Sequence, residues 1–303
     1  MSASAKDAVD AANELFGRHP GHRALHAKGT LLSGVFTAAP EAASLTRAAH
    51  MQGETLPVTV RFSNGAGDPE APDYRPDVRG LAVKFYLPDG SRTDIVAQTA
   101  PRFPVSTPEG FVELLRAQRP GPRMAARLPM FLARHPRALI ALPAALPALR
   151  PPASYATATY YALHAFRWVD GEGGSRHVRY TWLPEAGEAR ISLREARSRG
   201  HDYLQEDIRR RVAEGGVRFT LEVQIAAAED PLDDPSAPWP ADRERLRVGH
   251  LEVTGPEDRR ERDGDVLVFD PTRLTDGIEL TDDPVLAFRA RAYGESVARR
   301  TAG

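Results

Sequence analysis

Hydrophobic and polar positions alternate in eight stretches of the chain, which is the pattern of half-buried β-strands. The clearest is PVTVRFS at 57–63, and the others follow the same period over part of their length. The predicted strands are 24–38, 57–63, 81–87, 93–98, 162–169, 176–183, 218–227 and 247–254. Pro88-Asp89-Gly90 and the DGEGGS segment at 170–175 read as hairpin turns between neighbouring strands.

Helical periodicity is confined to segments that lie apart from these strands. They are 5–16, 108–119, 203–213 and a terminal helix from Pro284. The apolar stretch 124–152 is interrupted by prolines and arginines, so short helices are expected there rather than a membrane span. Strands joined by hairpins and separate helices indicate an α+β fold with an antiparallel sheet, and eight strands can close into a barrel. A single domain over 1–303 is expected.

Composition and charge exclude several classes of protein. The 303 residues are 42% hydrophobic and 27% charged, and 40 basic against 41 acidic residues give a formal net charge of −1. This balance favours neither nucleic acid nor an anionic membrane as a partner. The absence of cysteine excludes disulfides, zinc thiolate sites and thiol catalysis. The N-terminus has no apolar run typical of a secretory signal, so a cytoplasmic location without membrane insertion is expected.

The terminal helix carries an unusual stripe of residues. Asp283 before Pro284 is typical of a helix N-cap. At spacings of three and four, one stripe collects Leu286, Arg289, Tyr293, Val297 and Arg300, and the opposite stripe collects Arg291, Glu295 and Arg299. The second stripe is expected to be solvated. A buried arginine needs an anion, and the phenolate of Tyr293 would be both that anion and a hard ligand for ferric iron. The alternative is a core tyrosine with an ordinary hydrogen bond.

The HRALHAKG segment adds a candidate acid–base residue. In a regular strand Ala24, His26 and Lys28 would share one face of the sheet, and Arg23 would point to the other. A neutral histidine at a cavity can take a proton from a bound ligand and return it. The alternative is a half-buried histidine bonded to a backbone carbonyl.

Three segments together resemble the haem catalase superfamily. They are RALHAKGTLLSGVF, VRFSNGAGDPEAPDYRPDVRGLAVKFY and FDPTRLTDGIEL followed by LAFRARAY and an arginine seven residues later. The resemblance spans about residues 15 to 300, and the short chain is similar to the small, catalase-related peroxidase branch. It implies a catalase-like barrel with flanking helices and haem b, with its iron, between the barrel and the C-terminal helix.

The resemblance also implies a role for each candidate residue. Tyr293 would bind the iron, and Arg289 would hold it as the phenolate. His26 would be the acid–base group, oriented by Ser63. Arg23, Arg61 and Arg300 would bind the haem propionates, Phe111 would stack on the macrocycle and Phe103 would line the pocket. Gln98 stands where the family has an asparagine, so it would position peroxide less well.

The implied activity is reduction of hydrogen peroxide or organic hydroperoxides with a small organic donor. Gln98, and Val297 in place of a histidine common in larger catalases, predict weak dismutation of hydrogen peroxide. A homodimer is expected from the small branch. Two alternatives remain: a haem isomerase or lyase of fatty-acid hydroperoxides, like allene oxide synthase, and a non-catalytic haem-binding protein. Leu25 in place of a threonine argues against the first, and His26 with Ser63 argues against the second.

Overall fold

A computed structural model of the chain describes residues 3–257 and 267–301. Its strands are β1 Gly29–Ala38, β2 Thr55–Asn64, β3 Arg79–Tyr86, β4 Arg92–Gln98, β5 Tyr160–Val169, β6 Ser175–Pro184, β7 Val217–Ile225, β8 Arg245–Pro256 and β9 Ile278–Leu280. Its helices are α1 Ala5–Phe16, α2 Pro108–Ala117, α3 Met124–Arg134, α4 Ala138–Ala145, α5 Leu193–Arg199, α6 Tyr203–Gly215 and α7 Pro284–Thr301.

The first eight strands form a closed antiparallel barrel. Each pairs with its neighbour in the sequence, β8 pairs back to β1, and Gln98 of β4 pairs with Tyr161 of β5 to complete the ring. All eight predicted strands are present, which confirms the α+β barrel. The short β9 was missed, and it adds to the edge of β5. The expectation of a single domain stays a prediction.

Alternation along the strands divides the barrel into an apolar interior and a functional outer surface. On β2, Val58, Val60 and Phe62 belong to the central core. Arg61 and Ser63 alternate with them and therefore lie on the other face of the sheet. The apolar core therefore lies inside the barrel, and these two polar side chains lie outside its wall.

The start of β1 differs from the prediction. The strand begins at Gly29, and residues 24–28 form a bend before it. His26 therefore does not share a strand face with Ala24 and Lys28. Its φ is 55°, and it is the one non-glycine residue of the described chain with a positive φ. Such a conformation is uncommon for a residue with a Cβ, and it persists only where surrounding contacts hold it.

Three helices pack together beside the barrel. α1 follows a capping box at Ser4, and α2 follows the N-cap residue Thr107, whose side chain accepts a hydrogen bond from the backbone of Gly110. Buried side chains of α1, α2 and α7 form one apolar cluster that includes Phe288 of α7. No helix within residues 3–257 and 267–301 has both the length and the apolarity to cross a bilayer.

Contact with α1 corrects one expectation for α7. Arg299 was placed on the solvated stripe, but its guanidinium donates to Asp10 of α1 at 2.6 Å and to Glu295 at 2.6 Å. Arg291 is exposed, as expected. Because α1 covers the flank of α7 that carries Phe288, a spacing of three to four residues alone could not tell which residue of the polar stripe would meet a neighbouring helix.

A buried ion pair in the AVKFY motif fastens the segment before α7 to the barrel. Lys84 Nζ lies 2.5 Å from Asp94 Oδ1, and both side chains are fully buried. Lys84 also donates to the carbonyl of Val268, while Asp94 accepts from the backbone of Asp270 and from Arg273. The pair therefore fixes the path of the chain toward α7.

Candidate active site

Four contacts hold the bend before β1, and three of them involve His26 itself. Its Nδ1 lies 3.0 Å from Ser63 Oγ, and its backbone N–H donates to the carbonyl of Gly65. Arg61 Nη2 donates to the carbonyls of His26 at 2.8 Å and Ala27 at 3.2 Å. The bond at Nδ1 fixes the ring and leaves Nε2 on its opposite side for proton transfer.

Gly80 makes room for this arrangement. It lies between Ser63 and Gln98 in the cross-strand row. A Cβ at Gly80 would lie 2.6 Å from Ser63 Oγ and 2.9 Å from His26 Nδ1, which no side chain tolerates without a shift. Gly80 lies within the VRFSNGAGDPEAPDYRPDVRGLAVKFY segment, whose pattern predicts no role for it. Its close approach to the imidazole is visible only in the structure.

Burial and the positive charge around His26 keep it neutral. Burial has the largest effect, and with the charges of Arg61, Arg289, Arg23 and Arg79, in that order, it lowers the pKa of His26 to about 3. Arg289 belongs to α7, so the helix and the bend lie close enough to interact. Arg79 was not singled out from the sequence. Its buried side chain donates to the carbonyls of Asp73 and Arg75.

On α7, Arg289 and Tyr293 form the pair that their spacing predicted. Arg289 Nε lies 2.9 Å and Nη2 lies 2.6 Å from the phenolic oxygen of Tyr293. Because a guanidinium has no acceptor atom, the oxygen accepts both bonds. Two charge-assisted bonds stabilise negative charge on that oxygen.

Behind this pair lie two residues that extend the hydrogen bonds into the protein. Arg289 Nη1 donates to His164 Nε2 at 3.0 Å, and His164 Nδ1 lies 2.6 Å from Asp283 Oδ2. Because Nε2 accepts from an arginine, His164 carries its proton on Nδ1 and donates it to Asp283. Burial lowers the pKa of His164 while the bond to Asp283 opposes that shift, so this histidine is neutral.

Local irregularity explains why His164 was missed. The β5–β6 register shifts between Ala162 and Phe166, so that residues 163–165 face a single residue of β6. Simple alternation would place His164 with Ala162 and Phe166 in the core, but a bulge re-aims a side chain. Asp283 was recognised as an N-cap, and its Oδ1 does accept from the backbones of Val285 and Leu286. Its other oxygen holds His164.

The remaining candidate residues lie around this centre. Arg23 and Arg300 line one pocket between residues 17–24 and α7, and the backbone of Ala24 donates to Ser296 of α7. Phe103 and Phe111 are in ring contact, 5.4 Å between centroids. Gln98 lies on the same cross-strand row as Ser63. Among the described residues no hydrogen bond joins its amide to His26 or Ser63.

Together these features define a class of protein: a closed antiparallel barrel with an arginine-bound tyrosine on a terminal helix and a half-buried, neutral histidine in the facing bend. A family model for catalase matches residues 16–303. A catalase-related peroxidase of Mycolicibacterium paratuberculosis is 50% identical over 294 residues, 97% of this chain and 94% of that protein. One of Synechococcus elongatus is 34% identical, over 95% of this chain and 86% of that protein. The chain belongs to the catalase family.

A solved structure agrees at the level of the fold. A fungal catalase superposes with a TM-score of 0.83 at 23% sequence identity, and the match covers 94% of this chain. The chain spans 61% of the length of that fungal protein. The barrel and its helices therefore correspond to part of a larger catalase.

Proposed function

We propose that the protein is a haem-dependent peroxidase that reduces hydrogen peroxide or organic hydroperoxides with a small organic donor. The single observation that carries the proposal is the phenolic oxygen of Tyr293, which accepts two bonds from Arg289 on the helix that faces His26. The names of the two relatives described above support it. The homodimer and the cytoplasmic location stay predictions.

The donor set fits a ferric haem. An anionic phenolic oxygen is a hard ligand for iron, so Tyr293 would hold the haem iron through this oxygen. Arg23, Arg61 and Arg300 would hold the propionates, since guanidinium groups bind carboxylates through paired hydrogen bonds. Phe111 would stack on the macrocycle and Phe103 would line the side where peroxide binds. When bound, haem b supplies the redox-active iron at which the O–O bond of the peroxide is cleaved.

The chain's own residues handle protons and charge. Neutral His26 takes the proton of the bound peroxide at Nε2 and returns it to the departing oxygen, while Ser63 holds Nδ1. Gln98 presents its amide to the peroxide from β4, with one methylene more than an asparagine. Arg289, held by His164 and Asp283, keeps negative charge on the oxygen of Tyr293. The extra methylene favours oxidation of the organic donor over dismutation, so catalase activity is weak.

Neither alternative receives support from the relatives, which are named for peroxidase or catalase activity. A lyase would rearrange a fatty-acid hydroperoxide without oxidising a donor. A carrier would bind haem without turnover. The products formed therefore distinguish a peroxidase, a lyase and a carrier.

The test is purification with haem, an absorbance spectrum, and assays of donor oxidation and oxygen release with hydrogen peroxide and an alkyl hydroperoxide. Tyr293→Phe should lose the tyrosinate-type spectrum and nearly all turnover. The half-buried Tyr74 offers a matched control, and Tyr74→Phe should keep both. A protein that takes up no haem, or a Tyr293→Phe variant with the wild-type spectrum, contradicts the proposal.

A further inference from the structure

The segment 119–150, which we call the α3–α4 segment, concentrates exposed apolar side chains. Four large hydrophobic side chains are 45–60% exposed there: Met124, Met130, Leu139 and Leu146. In the rest of the described chain only Leu193 and Leu280 are comparably exposed. Scattered single residues are normal on a protein surface, but a cluster within 23 positions of sequence marks an interaction surface.

The charge around these side chains has one sign. From 114 to 169 the sequence has eight arginines and no aspartate or glutamate. Glu14, Glu113 and Asp234 from other elements pair with Arg119, Arg134 and Arg137 of the segment. Its other three arginines, Arg123, Arg127 and Arg150, have no carboxylate partner among the residues that the structure describes. The overall charge of −1 therefore conceals a local basic surface.

The opposite side of the segment is anchored next to the candidate active site. Phe131 and Ala138 are buried in a cluster with Val105 and Leu114, and Phe103 and Phe111 pack against that cluster. His135 also bonds to Glu113 of α2. The segment is thus anchored to the rest of the protein through its buried side, while its four exposed apolar side chains lie on the solvent side.

We propose that the α3–α4 segment docks this protein onto an anionic lipid surface. Short helices with exposed leucine and methionine flanked by arginine bind at the lipid headgroup boundary, where apolar burial and attraction to anionic lipid add together. The segment has no tryptophan or tyrosine, the residues that dominate protein–protein contacts. Pairing with a second copy would place the three arginines of one chain against those of the other.

Docking on lipid would affect which class of substrate reaches the site, an inference that rests on the proposed function. Phe103 and Phe111 lie directly beneath the segment, so the pocket that they line would be next to the bilayer. Amphiphilic organic hydroperoxides that partition into lipid would then reach the site at a higher local concentration than in water.

The test is flotation of the haem-loaded protein with vesicles of phosphatidylcholine alone or mixed with phosphatidylglycerol. Binding is expected only with the anionic mixture, and it should weaken with salt. Arg123→Gln with Arg127→Gln should reduce affinity roughly 25-fold, at about fivefold for each arginine. Leu139→Gln with Leu146→Gln should also reduce binding. Controls are Arg194→Gln with Arg247→Gln, and Leu193→Gln with Leu280→Gln, which should bind as wild type does.

Three results would overturn the docking proposal. They are no flotation with anionic vesicles, equal flotation with neutral ones, or equal losses in the control variants. If the segment variants change the oligomeric state without any vesicle binding, the surface is instead an interface between copies. Turnover of a hydroperoxide carried in anionic vesicles should fall in Leu139→Gln/Leu146→Gln while turnover of hydrogen peroxide is unchanged. If the wild-type protein turns over neither the hydroperoxide nor hydrogen peroxide, the peroxidase proposal is refuted, and the flotation result still stands.

Discussion

The two walls of the candidate site are built by different means. On α7, Arg289 and Tyr293 are one turn apart in a regular helix, so their contact follows from local geometry. Facing them, His26 lies in an irregular bend with φ at 55° and depends on Ser63, Arg61 and Gly65 from more distant sequence. One wall is fixed by helical period and the other by long-range contacts. Substitutions among the residues that hold the bend should therefore act by moving His26 from its position.

The largest effect is expected where the bend supplies the reacting group. His26→Gln removes the acid–base nitrogen and should slow the reaction with peroxide by ~10²–10⁴-fold. Stopped-flow absorbance of the haem band measures this rate. Ser63→Ala keeps the imidazole and should lose less. A rate for His26→Gln within tenfold of the wild type would remove His26 from the mechanism.

The same histidine gives a pH signature. With the pKa of His26 at about 3, the folded protein leaves it neutral, whereas the unfolded chain protonates it near pH 6.5. Its contribution to stability is therefore complete above pH 6.5 and is lost as the pH falls from 6.5 to about 3. Denaturant unfolding of the haem-free protein should show a weaker acid dependence in His26→Gln. An identical dependence in both proteins would contradict the lowered pKa.

A smaller effect is expected from the backbone that supports the bend. Gly80→Ala inserts a Cβ 2.6 Å from Ser63 Oγ and 2.9 Å from His26 Nδ1, so the imidazole must move. A displacement on the order of 1 Å costs ~10²-fold in rate. Gly171→Ala is the control, since its Cβ would meet open space in the β5–β6 hairpin. The rate of reaction with peroxide is measured for both variants. If Gly80→Ala reacts as fast as Gly171→Ala and the wild type, the reaction does not require the observed position of His26.

The residues behind the Arg289–Tyr293 pair are expected to tolerate change better. Asp283→Asn keeps a good N-cap but removes the charge that holds His164, so a loss of ~10–100-fold in turnover and a shifted haem spectrum are expected. Asp283→Ala removes the cap as well and should cost about 1 kcal/mol more in unfolding free energy. Measuring thermal unfolding and turnover for both variants separates the N-cap of Asp283 from its bond to His164. Equal activity in Asp283→Asn and wild type would show that His164 needs no anion.

The same contrast determines what could be read from the sequence. Regular elements were predictable: the eight strands, the start of α1 and α7, and the pairing of Arg289 with Tyr293. Irregular positions were not. His164 lies in a β-bulge, and His26 lies outside the strand to which it was assigned, because long-range contacts decide such positions rather than period. The HRALHAKG segment offered His26 as a candidate and the resemblance implied its role, although alternation misplaced it on a strand.

The smallest expected effect lies on the polar stripe of α7, where period could not separate Arg299, which meets α1, from Arg291. Arg299 has 25% of its side chain exposed and joins Asp10 of α1, whereas Arg291 is exposed and lies over the ring of Phe288 in its own helix. Arg299→Gln should lower the free energy of unfolding by up to about 1 kcal/mol, the upper range for such pairs. Arg291→Gln should change it by less than about 0.5 kcal/mol. Thermal unfolding at low and high salt measures the effect of both substitutions.

Because salt screening weakens partly exposed ion pairs, the difference in unfolding free energy between the two variants should shrink as salt is added. A difference that persists would mean that Arg299 acts by packing its aliphatic stem against α1, so that the contact between α1 and α7 would rest on apolar burial instead of charge.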